Sequence, residues 1–132
     1  MPDVLIPFLT PEWFEAANKE GGAVERAEGI TGIVDMAIQR ASGVTATVTI
    51  AVQDGQPTFR LGPDPDAAVT LQYVEEDLPA ALVGSLDSIA AYAAGRIGVT
   101  GDVEGTADVM ILWDSESYRA FRRRIHDFTA FG

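Results

Sequence analysis

Residues 84–102 read Gly84-Ser-Leu-Asp-Ser-Ile-Ala-Ala-Tyr92-Ala-Ala-Gly95-Arg-Ile97-Gly-Val99-Thr-Gly101-Asp102. The stretch is the tail of a small-residue helix, a glycine stop at Gly95, a short alternating strand and a second glycine stop at Gly101. Asp102 has the side chain to cap the free amides of another helix. Upstream residues read mainly as sheet and downstream residues mainly as helix, so one layer is laid on the other here.

Working back, Ala68 to Val74 alternates as a strand with Val69, Leu71 and Tyr73 on one side. Glu75-Glu-Asp77 then starts a helix with Pro79 in its first turn. Leu78, Leu82, Leu86 and Ile89 recur at helical spacing, and Gly84 divides that run into two short helices, the second capped by Ser85 or Asp87. Earlier still, Val34, Met36 and Ile38 alternate with Asp35, Ala37 and Gln39. Val44 to Val52 is the clearest half-buried strand, its Val44/Val48/Ile50/Val52 face opposed to Thr45/Thr47/Thr49. Asp54-Gly55 signals a hairpin into a strand from Pro57 to Leu61. Read in order, these four strands form an antiparallel meander, and the helical crossover to Arg96–Thr100 suggests that the fifth pairs with the fourth in parallel. Thr10-Pro11-Glu12 opens an N-terminal helix carrying Trp13, Phe14 and Ala17.

Working forward, Val103, Ala107, Met110 and Ile111 lie at helical spacing. A final helix from about Ser115 carries Tyr118, Phe121, Ile125 and Phe128 in steps of 3, 4 and 3, with its arginines mostly on the other side. The chain is thus read as one α+β domain over residues 1–132, with a five-stranded, mostly antiparallel sheet and helices on one face.

Composition narrows the chemistry. Net charge is −11, from 9 basic and 20 acidic residues, which argues against nucleic acid as a partner. The four basic residues after Trp113 are Arg119, Arg122, Arg123 and Arg124. There is no cysteine, which removes disulfides and thiolate chemistry. The start, Met1-Pro-Asp-Val, lacks the pattern of a secretory signal, and a cytoplasmic address is expected. Eight arginines against one lysine fit a GC-rich bacterial genome. His126 is the only histidine, so neither a two-histidine metal site nor a well-placed triad is available. Gly95, Gly98 and Gly101 lack the spacing and setting of a phosphate-binding loop. No cofactor, metal or catalytic residue is expected. What stands out is apolar excess: 47% hydrophobic residues, including Met36, Met110, Trp113, Tyr118, Phe121, Ile125, Phe128 and Phe131, more than one small sheet needs. Such residues pack a core, and they equally suit the wall of a lipid pocket.

The order of elements and the wording of residues 71–102 resemble the sterol carrier protein-2 family. The resemblance rests on Leu78, Leu82, Gly84, Leu86-Asp87, Ala93 and Gly95-Arg96-Ile97-Gly98-Val99-Thr100-Gly101-Asp102, and Pro11-Glu-Trp13-Phe14 is similar to the opening helix of stand-alone bacterial members. It implies an apolar tunnel between sheet and helices that binds a fatty acid, fatty acyl-CoA, sterol or phospholipid without catalysis. On that basis the expected wall is Trp13, Phe14, Met36, Leu82, Ile97, Val99, Met110, Trp113, Phe121, Ile125 and Phe128, with Arg122 or Arg124 at a polar head group. Arg119 and Arg123 are further candidates for a carboxylate or phosphate at the mouth. The expected partner is a small hydrophobic lipid, with a transient membrane or enzyme contact as a further option. Gly98 and Gly105 depart from the family pattern, as does the Arg122–Arg124 run.

Two other readings stay open. One is a small α+β isomerase or cyclase acting on polyketide or steroid rings, which needs a buried Asp, Tyr or His poised in the pocket; Asp35 is the acidic residue embedded in a strand, and a strongly shifted buried carboxylate facing the cavity would favour this reading. The other is a well-packed partner-binding domain, for which any cavity would fall well below about 300 Å³.

Overall fold

The computed structural model describes residues 5–86 and 88–131, with the side chains of Ser88, Ile89 and Met110 excepted. Asp87 as a helix cap therefore lies outside the described residues. The elements are β1 (Ile6–Pro7), α1 (Pro11–Gly21), β2 (Gly32–Gln39), β3 (Thr45–Gln53), β4 (Gln56–Leu61), β5 (Val69–Val74), α2 (Leu78–Val83), α3 (Ser88–Ala93), β6 (Gly98–Gly101), α4 (Ala107–Trp113), α5 (Glu116–Phe128) and β7 (Thr129–Ala130). Short 3-10 turns, Glu75–Asp77 and Glu104–Thr106, lead into α2 and α4.

The local signals decide the local structure. Thr10 caps α1, its hydroxyl accepting from the Trp13 amide at 3.3 Å. Ser115 caps α5 in the same way, through the Tyr118 amide. Asp54 and Gly55 both take positive φ in the β3–β4 hairpin. Gly84 ends α2 in the left-handed region, at φ 80°. Gly101 sits at φ 111°, where a Cβ would run into the Ala68 carbonyl.

The sheet order is β4-β3-β2-β5-β6. Here the structure corrects the sequence reading. β5 does not continue a meander beside β4; it pairs with β2 in parallel, Val34 opposite Val69 and Ile38 opposite Tyr73. The fifth strand, β6, then pairs with β5 in antiparallel fashion, not in parallel. The cause is the loop from Gly62 to Ala68, which crosses the outer face of the sheet instead of turning back. It is held there by side chains that alternation had marked only as outward: the Asp64 amide donates to both Asp35 carboxylate oxygens at 3.1–3.3 Å, and Thr49 Oγ1 lies 2.7 Å from the Gly62 carbonyl.

One strand pair has no periodicity to announce it. β1 and β7 form a two-stranded parallel strap, Ile6 opposite Thr129 and Pro7 opposite Ala130. Two residues per strand are too few to show alternation. Trp13 secures the strap from α1, its indole donating to Thr129 Oγ1 at 2.8 Å.

Helices cover the inner face. Trp13 and Ala17 bury one side of α1, and Tyr118, Phe121 and Ile125 one side of α5. Rings interlock between layers: Phe59 of β4 stacks on Phe121 with centroids 5.9 Å apart, and Trp13 meets Phe8 edge-on at 5.0 Å. The Tyr118 hydroxyl donates to the Gly55 carbonyl at 2.6 Å, tying α5 to the hairpin turn.

Candidate functional site: an apolar cavity between the layers

Between the inner face of the sheet and the helices lies a cavity of about 930 Å³. Its floor is the alternating face of the strands: Val34, Met36 and Ile38 of β2, Val48, Ile50 and Val52 of β3, Phe59 of β4, and Leu71 and Tyr73 of β5. Ile97 and Val99 extend it beside β5. Because strand side chains alternate by face, each strand sends every second residue to the cavity and the others to the outer surface. The roof comes from Trp13 of α1, Leu78 and Leu82 of α2, Val109 and Trp113 of α4, and Phe121 and Ile125 of α5. Phe8 and Phe131, flanking the terminal strap, close one end.

The exposed members of the wall are Gly84, Tyr92, Asp114, Arg119, Ala120 and Arg123. The opening therefore lies between the α2–α3 turn and the N-terminal half of α5. It is flanked by the cations of α5, on a chain whose overall charge is −11.

Of the residues expected in the wall, Trp13, Met36, Leu82, Ile97, Val99, Trp113, Phe121 and Ile125 stand in it. Met110 lies outside the described side chains. Phe14 and Phe128 sit outside the wall, partly buried against the core. Adjacent helical positions point about 100° apart, so with Trp13 turned inward Phe14 meets it from the side, rings edge-on at 5.1 Å. Phe128 falls on the last turn of α5, just before the chain leaves for β7.

The arginines separate into distinct roles. Arg124 leaves the site altogether and pairs with Glu20 of α1 at 2.6 Å. Arg119 and Arg123 stay exposed at the opening. Arg122, one of the two arginines expected at a polar head group, is only 4% exposed and forms part of the wall. Burial pulls its pKa below the usual arginine value, partly opposed by the charge of Asp114. Burial likewise pushes the Tyr73 phenol up.

Some wall residues were legible but unused: Leu71 and Tyr73 belong to an alternating strand face already apparent in the sequence. Phe8 and Phe131 carry no such signal, since their place depends on pairing between the two ends of the chain.

Asp35 does not face the cavity. It lies on the outer face, 5% exposed, with Thr49 Oγ1 2.8 Å from its Oδ1 and the Asp64 amide beside it. Its role there is to hold the crossover loop. Among the described residues no group of three His, Asp or Glu side chains is placed to hold a metal ion, and no helix is long and apolar enough to cross a membrane.

The sequence matches a family model described as the SCP-2 sterol transfer family over residues 12–114. No functionally curated protein matches it directly. Among solved structures, the chain is similar to palmitated sterol carrier protein 2-like 2 from Aedes aegypti, with 23% identity, TM-score 0.55, and coverage of 81% of this chain and 96% of that one. It is also similar to the sterol carrier protein domain 2 of Helicoverpa armigera, with 17% identity, TM-score 0.59, and coverage of 89% and 92%. A third likeness is to the sec-alkylsulfatase Pisa1 from Pseudomonas sp., at 20% identity and TM-score 0.56, covering 81% of this chain but 17% of the enzyme. At these identities the structural likenesses establish a shared fold.

Proposed function

This chain belongs to the SCP-2 sterol transfer family, and we propose that it binds a hydrophobic lipid in the cavity between its layers and carries or presents it without acting on it chemically. The observation that carries this reading is the cavity itself, about 930 Å³ with a predominantly apolar wall. That volume is at the upper end of the usual range for small-molecule sites, about 300–1,000 Å³. A well-packed partner-binding domain would leave no such space.

Burial of a dozen methylenes contributes on the order of 10 kcal/mol at ~0.8 kcal/mol each, before association and ordering are subtracted. Aromatic and β-branched side chains suit an aliphatic chain or a fused ring system equally, so general lipid affinity follows from the wall alone. The proposed wall is the set of sequence-nominated residues that stand in it, joined by Phe8, Tyr73 and Phe131. The proposed setting is the cytoplasm, with the whole chain acting as one binding domain.

The isomerase or cyclase reading required a buried Asp, Tyr or His poised in the pocket. Asp35, the strand carboxylate that suggested it, faces away, and His126 lies outside the wall beside Asp127. Both placements favour the carrier, while Tyr73 is the half-buried wall residue of the required type, its phenol pushed up by burial.

Native mass spectrometry of the purified protein, followed by organic extraction, tests the proposal. A co-purifying or added fatty acid, acyl-CoA, phospholipid or sterol is expected to shift the mass by one ligand. Failure of all four classes to bind would overturn it.

A further inference from the structure

We infer that Arg122 determines the specificity of the cavity, selecting apolar molecules that end in a compact anionic head such as a carboxylate over neutral sterols. The inference rests on the lipid-binding reading and names the chemistry of the ligand's polar end.

Arg122 is a charged residue placed as a wall residue. It lies one position past Phe121 on α5, is 4% exposed, and borders the cavity with Trp113 and Tyr73. Its guanidinium lies 5.8 Å from the centre of the Trp113 ring. Nη1 donates to the Ala81 carbonyl at 2.9 Å, which fixes the group against α2. Nε is buried and has no hydrogen-bond partner among the described residues. The carboxylate that faces it, Asp114, stands 3.9 Å from Nη2, beyond hydrogen-bond reach, and its side chain is 78% exposed to solvent.

A guanidinium carries five donors in a planar fork. Among the described residues, one carbonyl, the face of Trp113 and a distant, solvated carboxylate answer it, and none of them is a paired acceptor. A buried cation left so poorly compensated is costly, and the cost falls when a partner with matching geometry arrives. A carboxylate supplies that partner, with two oxygens spaced for paired N–H donors. A sterol hydroxyl has neither the charge nor the second oxygen, and its apolar rings would leave the cation drier still. Asp114 attracts Arg122 more than Arg119 repels it, yet the charged members of the wall are Arg119, Arg122 and Arg123 against Asp114, so the opening carries net positive charge. Exposed Arg119 and Arg123 extend that field outward, where an incoming anion first meets it. The apolar body would then lie along the strand floor with its head at Arg122, between α2, α4 and α5.

Matched pairs that differ only in the head group test the inference, while chain and ring bodies distinguish the source of the carboxylate. Palmitate is compared with hexadecanol, and a steroid bearing a side-chain carboxylate with cholesterol, by displacement of a neutral fluorescent lipid at pH 8. Wild-type protein is expected to prefer the acid at least tenfold in one or both pairs. Arg122→Met is expected to bring acid and alcohol within about twofold by weakening the acid, and Arg122→Lys to keep part of the preference. Equal binding of acid and alcohol by the wild type, or a preference that survives in Arg122→Met, overturns the inference and leaves the lipid-binding reading intact. If none of the four compounds binds the wild type, both fall. Should Arg122→Met fail to fold by circular dichroism, the wild-type pairs and Arg122→Lys decide the matter.

Discussion

The Thr49 hydroxyl lies 2.8 Å from Asp35 Oδ1 and 2.7 Å from the Gly62 carbonyl, joining two neighbouring strands to the loop that crosses them. Asp35 and Thr49 face one another across β2 and β3, and the Asp64 amide completes the cluster. These contacts hold the crossover that sets β5 beside β2. Asp35→Ala would leave the Asp64 amide without its acceptor, at a cost of about 1–3 kcal/mol, while the Thr49 hydroxyl keeps the Gly62 carbonyl. A loss of roughly 1–3 kcal/mol in urea denaturation is expected, with lipid binding unchanged at temperatures where the variant is folded. A large loss of binding in folded Asp35→Ala would return Asp35 to the list of functional groups.

Tyr118 and Tyr73 make stability depend on alkaline pH. Burial raises both phenols above their ordinary value of 10.0. Below that value the phenols are neutral whether the chain is folded or unfolded, and the native state keeps its full stability. Above it the unfolded chain ionises first, so stability falls as pH rises towards the folded-state values. The slope approaches about 1.4 kcal/mol per pH unit for each tyrosine. Tyr118→Phe is expected to remove close to half of that slope above pH 10, while lowering stability at neutral pH by about 1–3 kcal/mol because the Gly55 carbonyl loses its donor. Denaturation midpoints from pH 8 to 11 check both effects, and a parallel loss in wild type and variant would contradict the first.

Met36 stands mid-strand in the cavity floor and is only partly buried because its side chain borders the cavity. Met36→Trp would extend a ring into that space instead of into packed core. Affinity for a long-chain lipid is expected to fall tenfold or more with the melting temperature unchanged or higher. Destabilisation by more than about 1–3 kcal/mol would instead indicate overpacking of a filled interior.

Gly101 has a backbone requirement that no larger residue meets. At φ 111° and against the Ala68 carbonyl, a methyl group both strains the chain and collides with β5. Gly101→Ala is expected to cost on the order of 2–3 kcal/mol and to loosen β6, whose amides would exchange with deuterium earlier than those of β2 and β3. Gly84→Ala, with open space around its Cβ, is expected to cost about 1 kcal/mol. Equal effects at the two glycines would refute the role given to Gly101.

Much of this protein was legible along the chain. Alternation at Val34–Ile38, Val48–Val52 and Val69–Tyr73 marked the strands and the face each buries, because side-chain direction in a strand is set by position alone. Thr10, Gly84, Gly95 and Ser115 marked helix ends, because capping is a contact between near neighbours. The order of these elements around residues 84–102 sufficed to identify the family. Tertiary structure decided what depends on residues far apart. The place of β5 followed from Asp35 and Thr49 capturing a loop 29 and 13 residues further along the chain, and outward alternation says nothing of what will cover a face. The strap between β1 and β7 joins opposite ends of the chain, and its two-residue strands have no period to read. Arg122 followed the same rule: helical spacing placed it beside the apolar stripe of α5, and only the approach of α2 and α4 turned that edge of the helix into the wall of a cavity and left a charge inside it.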